Sequence, residues 1–199
     1  LVMIWPERHR KGSVRSAMGA GQTMTAKDAQ AIVRELGHLV TSVSPTVNIS
    51  CQLIHDNKNW NTRVSGVSYD FPEIRNWQLS EGRFFEEYEE RSHARVCVIG
   101  KTVLSNLFAE GEDPIGSIVR VGSIPFRVVG VLASKGATGW GQDQDDIIMS
   151  PHTTVARFLQ RSKFKAINMM NVSLVDMENL EEAKREITAL LRQRHKLPD

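Results

Sequence analysis

The chain has 199 residues, with 25 Lys and Arg against 23 Asp and Glu for a net charge of +2. Hydrophobic residues make up 41% and charged residues 24%, which excludes a disordered, collagen-like or disulfide-dense chain. The near-neutral balance also argues against nucleic acid as a partner, because dedicated binders concentrate Lys and Arg on one face. A chain this long buries roughly 70% of its unfolded surface, so a self-supporting core is expected, in one large domain or two small ones.

No apolar run approaches the ~18 residues of a membrane-spanning helix. The most apolar stretch, residues 126–134, is interrupted by Arg127 and Gly130. The chain opens at Leu1 rather than Met, which reads as a piece cut from something longer. Residues 1–16 are read as a flank of uncertain origin or a cloning remnant, and the basic cluster within them as a solvated tail or juxtamembrane flank. Cys51 and Cys97 sit in apolar strand-like runs, where Cys behaves as a small hydrophobe, and they are read as buried free thiols. Neither has the spacing of a zinc ligand pair.

In chain order, a helix is expected from about residue 26 to 40. Thr25 stands as its N-cap, and Ala29, Ile32, Val33, Leu36 and Val40 recur at helical spacing. Pro45 closes that unit. Val47, Ile49, Cys51 and Leu53 then alternate as in a half-buried strand, with a hairpin partner over 62–69. Asp70 and Pro72 open a short helix that carries Ile74, Trp77 and Leu79. Glu86, Glu87, Glu89 and Glu90 read as a solvated charge run. From 94 to 150 short strands dominate, interrupted by one helix over 101–110, with Gly111, Gly116, Gly122 and Gly130 at the turns. A helix follows from Ser150 and Pro151 to about Gln160, then a strand in which Met170, Val172 and Leu174 alternate. Asp176 caps a last helix with Leu180, Ala183, Ile187, Leu190 and Leu191 on one face and Glu181 paired with Arg185 on the other. The pattern is an α+β fold whose middle is enlarged by a mostly β insertion.

Chemistry-bearing motifs fail one by one. Gly100, Lys101 and Thr102 imitate the end of a phosphate-binding loop, but the first glycine that loop requires falls on Arg95, inside a strand. Gly19 and Gly21 lack the third glycine and preceding strand of a dinucleotide site. Asp143, Asp145 and Asp146 follow a Gly-rich loop without the ligand order of a calcium loop, and read as solvated acids feeding a strand. Six histidines are scattered without ligand spacing, and no nucleophile elbow exists. No catalytic residue, cofactor or metal is expected, which leaves interaction.

Four strings in series, over residues 74–85, 95–108, 113–136 and 141–154, resemble the periplasmic core domain of MacB-type ABC transporter permeases (the macrolide-exporter, FtsX-like family). The likeness extends over roughly residues 19–196 and is nearest to the macrolide-exporter branch through the loop around Trp140. It implies two lobes: a mixed α/β, Porter-like lobe from 17–91 and 151–199, and an inserted mainly-β, Sabre-like lobe from 92–150. It further implies a periplasmic domain of a bacterial inner-membrane protein, homodimeric in the full permease and driven by a cytoplasmic ATPase domain. Such a domain transmits ATP-driven motion and docks a periplasmic adaptor, or membrane fusion, protein leading to an outer-membrane channel. The expected partner contacts are exposed loop residues. Trp140 stands first, between two glycines in a polar loop, with Gly139 and Gln142 beside it; Trp60 is a second candidate. Two other readings stand beside this one: the periplasmic domain of a lipoprotein-release permease, and a metal-dependent binder or enzyme built on the acidic loop.

Overall fold

The computed structural model describes residues 2–5, 24–139, 141–160 and 167–195. In chain order the elements are β1 (Val2–Ile4), α1 (Ala26–Glu35), β2 (Val40–His55), β3 (Lys58–Val67), α2 (Phe71–Arg75), β4 (Leu79–Gly82) and α3 (Glu87–Arg91). There follow β5 (Val96–Ile99), α4 (Lys101–Leu107), β6 (Ile118–Val121), β7 (Ile124–Leu132), β8 (Ile147–Pro151), α5 (His152–Thr154), β9 (Met169–Leu174) and α6 (Leu180–His195), with a single π-helical turn, Val155–Leu159, after α5. This is the α+β class expected. The chain forms two compact units, one from Leu1–Thr46 and Ser162–Asp199, the other from Val47–Arg161.

In the first unit, β1, β9 and the opening of β2 make an antiparallel sheet, with Val2 and Val43 flanking Val172. β1 shows that residues 2–4, read as flank, are a structural strand; residues 6–16 lie outside the described residues. α1 buries Ala29, Ala31 and Ile32, and α6 buries Ala183, Ile187 and Leu190 at helical spacing. The expected cap is present: the Thr25 amide and hydroxyl each donate to Asp28 Oδ2 at 2.9 Å. Asp28 is 3% exposed and also accepts from Arg194 Nε at 2.9 Å. Burial pushes its carboxyl up, but the bonds from Arg194 and Thr25 outweigh burial and hold it below the usual range. α1 is shorter than the periodicity predicts, because the amides of Leu39 and Val40 turn back onto the Leu36 carbonyl and Val40 starts β2. Pro45 lies one residue before the unit boundary at Thr46 but does not interrupt the strand. It lies inside β2 where β9 is the strand's one neighbour among the described residues, an edge setting that tolerates a missing N–H. On α6, Glu181 pairs with Lys184 at 2.7 Å rather than with Arg185.

In the second unit the strands close on themselves. The rest of β2 pairs with β3 antiparallel, β3 with β8 parallel, β8 with β5 antiparallel and β5 with β7 parallel. β7 pairs with β6, and β6 returns to β2 through Leu53 opposite Val121 and Ile54 opposite Arg120. β4 adds to β7 as a spur. Closure explains why β5, Val-Cys-Val-Ile, is apolar throughout: all four residues are buried. Val96 and Val98 face a cluster with Phe71, Trp77, Phe85, Val129, Ile147 and Met149, and the alternate residues Cys97 and Ile99 point to the opposite face, into the ring. Neither cysteine is in a disulfide; Cys51 is half-buried rather than buried as expected, and Cys97 is wholly buried, where burial pushes its thiol up.

Three sequence readings change here. α2 ends at Arg75 because Asn76 adopts a left-handed conformation (φ 44°), so Trp77 lies beyond the helix and Leu79 belongs to β4. The glutamate run is not simply solvated. It forms α3, in which Glu89 is 5% exposed, grips Arg83 through bonds of 2.7 and 2.8 Å and caps the helix by accepting the Glu86 amide. The segment after Ser150 continues as strand to Pro151 before one α-helical and one π-helical turn. By compactness the chain divides after Thr46 and after Arg161. The β2–β3 hairpin supplies two strands of the ring, and composition cannot show which later strands a hairpin will meet.

Candidate functional site

The segment between β7 and β8, residues 133–146, carries most of the residues predicted to meet a partner. Its base is fixed by one buried carboxylate. Asp145 is 6% exposed and accepts the amides of Lys135 at 2.7 Å and Gly136 at 3.1 Å, together with the Ser134 hydroxyl. Burial alone would raise its pKa; these three donors favour the charged form and lower it. Lys135 reaches across to the Arg75 carbonyl at 3.0 Å, and its ammonium lies 4.5 Å from the centre of the Trp77 ring.

Above this base the loop folds back as a small hairpin. Ala137 bridges Asp143, the Thr138 amide donates to the Gln142 carbonyl and the Gly141 amide to the Thr138 carbonyl, each at 2.8 Å. Gly141 has φ +77°, a conformation side chains rarely adopt, which suits glycine to that position. Gly139 and Gln142 are exposed at the tip. Trp140 lies outside the described residues.

The three aspartates diverge. Asp143 accepts the Thr102 hydroxyl at 2.7 Å, Asp145 holds the loop base, and Asp146 accepts the Trp60 indole N–H at 2.8 Å and the Thr62 hydroxyl at 2.6 Å. Carboxylates committed to separate donors do not offer the convergent oxygen cage of a hard cation. The acidic loop is therefore a set of anchors. Trp60 is half-buried, its polar edge held by Asp146, so it tethers β3 to the loop instead of standing free.

Beside the tip runs an open polar groove of about 420 Å³, lined by Asn48, Ser50 and Arg63 of the β2–β3 hairpin and by Gln142, Asp143 and Asp146 of the loop. Ser50 and Arg63 are cross-strand partners. The hairpin residues were missed from sequence, although Asn48, Ser50 and Gln52 form the polar phase of the alternating strand. That phase announces a solvated face, not what will stand across it. Gly100, the glycine of the false phosphate loop, has a different explanation. A Cβ there would lie 2.1 Å from the Asp145 carbonyl oxygen, so it is glycine because the loop backbone passes over it.

These features define an α+β domain with an exposed loop buttressed at its base and a polar groove beside it. The chain belongs to the MacB-like periplasmic core domain family, whose model matches residues 1–190. It is a periplasmic, MacB-type domain of an ABC transporter permease of the inner membrane. Similar curated proteins include the macrolide export ATP-binding/permease protein MacB of Azoarcus sp. (strain BH72), 37% identical over 89% of this chain and 26% of that protein. The MacB of Chlorobaculum tepidum is 37% identical over 94% of this chain and 28% of its own. The pyoverdine export ATP-binding/permease protein PvdT of Pseudomonas entomophila is 35% identical over 92% and 28%. The chain thus spans about a quarter of the length of the curated relatives it matches. Among solved structures, the periplasmic region of MacB from Actinobacillus actinomycetemcomitans superposes with a TM-score of 0.80 at 24% identity, covering 99% of this chain and 85% of that one. The extracellular domain of the transporter YknZ from Gram-positive bacteria gives 0.76 at 18% identity, covering 88% and 86%. At these identities the superpositions concern the fold.

Proposed function

We propose that this domain is the non-catalytic periplasmic part of an ABC efflux permease that docks a periplasmic adaptor and passes ATP-driven motion to it. The parent protein would act as a homodimer, powered by a cytoplasmic ATPase domain and joined through the adaptor to an outer-membrane channel. The observation that carries this reading is the 133–146 loop. It presents exposed residues at a tip whose base is locked by Asp145, Asp146 and Trp60. A rigid base with an exposed tip suits recognition, because little ordering entropy is lost when a partner binds. The relatives' names as export ATP-binding/permease proteins supply the transport context.

The test is binding of the cognate adaptor to the 199-residue chain in solution. Trp140→Ala combined with Gln142→Ala is expected to weaken binding by roughly tenfold or more, since central aromatic anchors dominate interfaces. Arg185→Ala, on the exposed face of α6, should leave it unchanged. Unaltered affinity in the double variant overturns the assignment of the loop as the docking element.

A further inference from the structure

At the turn of the β2–β3 hairpin three ligand-type side chains converge that no sequence spacing foretold. His55 ends β2, Asp56 begins the hairpin turn, and Glu112 follows α4, 57 residues from the histidine. One nitrogen or oxygen from each lies within 4.8 Å of the others. We propose that His55, Asp56 and Glu112 bind a divalent transition-metal cation of the zinc type, clipping the hairpin turn to the segment that follows α4.

Second contacts on two of the three ligands favour this over a loose surface cluster. His55 is 9% exposed and its ring stacks on Phe108 at 4.2 Å between centroids. Its Nδ1 lies 2.9 Å from the Ile118 carbonyl, so that nitrogen must carry a proton and Nε2 is the one presented to the carboxylates. A backbone carbonyl on the far nitrogen is the usual outer support of a metal-bound imidazole. Glu112 is held likewise: Oε2 accepts the Ala109 amide at 2.7 Å, while Oε1 faces His55 Nε2 at 2.8 Å. Asp56 Oδ2 lies 4.0 Å from the same nitrogen, on a side chain that is 84% exposed and free to swing.

Donor atoms on a tetrahedral ion at about 2.0–2.2 Å stand roughly 3.4 Å from one another. The two separations, 2.8 and 4.0 Å, straddle that value, and small side-chain rotations would equalise them. One imidazole and two carboxylates balance a 2+ ion and suit zinc, nickel or copper; calcium and magnesium ask for more oxygen ligands or retained water. Lys58 is the neighbouring opposing charge, and its ammonium is engaged on the Phe108 carbonyl at 2.6 Å.

The experiment is metal binding by the 199-residue protein. Titration with Zn2+ is followed by calorimetry, and Co2+ by its visible absorption, which reports the ligand field directly. The expected result is one equivalent bound, a raised Tm because the ion binds only the folded chain, and no response to Mg2+ or Ca2+. His55→Gln and Glu112→Gln should each weaken binding by roughly tenfold or more, and Asp56→Asn, on an exposed turn, guards against effects of misfolding. Failure to bind Zn2+ or Co2+ overturns the proposal and leaves an ion pair. Binding that survives unchanged in both His55→Gln and Glu112→Gln overturns it too, by placing the ion elsewhere. Neither result bears on adaptor docking, which is proposed for the 133–146 loop.

Discussion

Replacing Asp145 with Asn removes a charge and one acceptor while preserving shape, so it isolates what the buried carboxylate does for the 133–146 loop. The wild-type oxygens serve three donors: Lys135 N–H on Oδ1, with Gly136 N–H and the Ser134 hydroxyl on Oδ2. Bonds to a charged acceptor contribute about 1.5–3 kcal/mol each, and bonds between neutral groups about 1 kcal/mol. Asn keeps a single oxygen. Placed on the Oδ2 side, it retains two weakened bonds and turns its amide against the Lys135 N–H. The sum is a loss of about 2–4 kcal/mol at pH 7, measurable by urea unfolding followed through the four Trp residues. The pH dependence carries the sign. The folded-state pKa is depressed, so the stabilisation is complete above the unfolded value of about 3.9 and is lost as pH falls through the lower folded value. Wild type and variant should therefore differ by a constant amount from pH 7 to 5 and converge at lower pH. A difference under about 0.5 kcal/mol at pH 7, within the range of ordinary surface substitutions, or one that stays constant below pH 3, would refute the account.

Two further expectations follow from buried contacts elsewhere in the second unit. Gly100→Ala places a methyl 2.1 Å from the Asp145 carbonyl oxygen and 2.9 Å from its carbon, so one backbone must move. Thermal unfolding should show a loss of about 2 kcal/mol or more, against the stabilisation Gly→Ala brings where space allows; a neutral result would mean the two segments separate easily. Glu90 and His152 lie 3.3 Å apart, with burial raising Glu90 to about 7 and lowering His152 to about 4. A raised carboxyl makes the fold less stable as pH climbs from about 4.5 to 7, and a lowered imidazole makes it less stable as pH falls from 6.5 to 4. The two trends offset. Glu90→Gln removes the first, so the variant should gain stability relative to wild type as pH rises across that window, by on the order of 2–3 kcal/mol. A difference that does not vary with pH would show that Glu90 titrates normally.

Much of the fold was legible in the chain, and the losses share a cause. Periodicity found α1, the second half of β2, β9 and α6, because an element that buries mainly one face writes its period into the sequence. The Thr25–Asp28 cap was readable because both partners lie within one turn. What failed was everything settled by distant partners. α3 was taken for solvent-exposed charge because Arg83 and the interior that receives Glu89 are not visible in a run of glutamates. The ring closure of β2 onto β6 joins residues nearly 70 positions apart on composition grounds alone indistinguishable from separate sheets. The candidate site was partly legible: Gly139, Gln142 and Trp60 sit in or against the loop. Trp60, however, was expected as a free aromatic and is tied down by Asp146, and the Arg63 side of the groove carried no local signal. The His55 cluster needed three residues from two segments, which no spacing rule collects.

Ring closure also restricts how anything can attach to the second unit. A sheet with open edges invites a foreign strand to add itself by backbone hydrogen bonds, a mode largely blind to side-chain identity. Here β2, β3, β8, β5, β7 and β6 use one another's edges, and the spur β4 is only four residues long. A visitor meets side chains on loops and turns instead of a vacant ladder. Selectivity therefore falls to residues that substitution can change one at a time without disturbing the ring beneath.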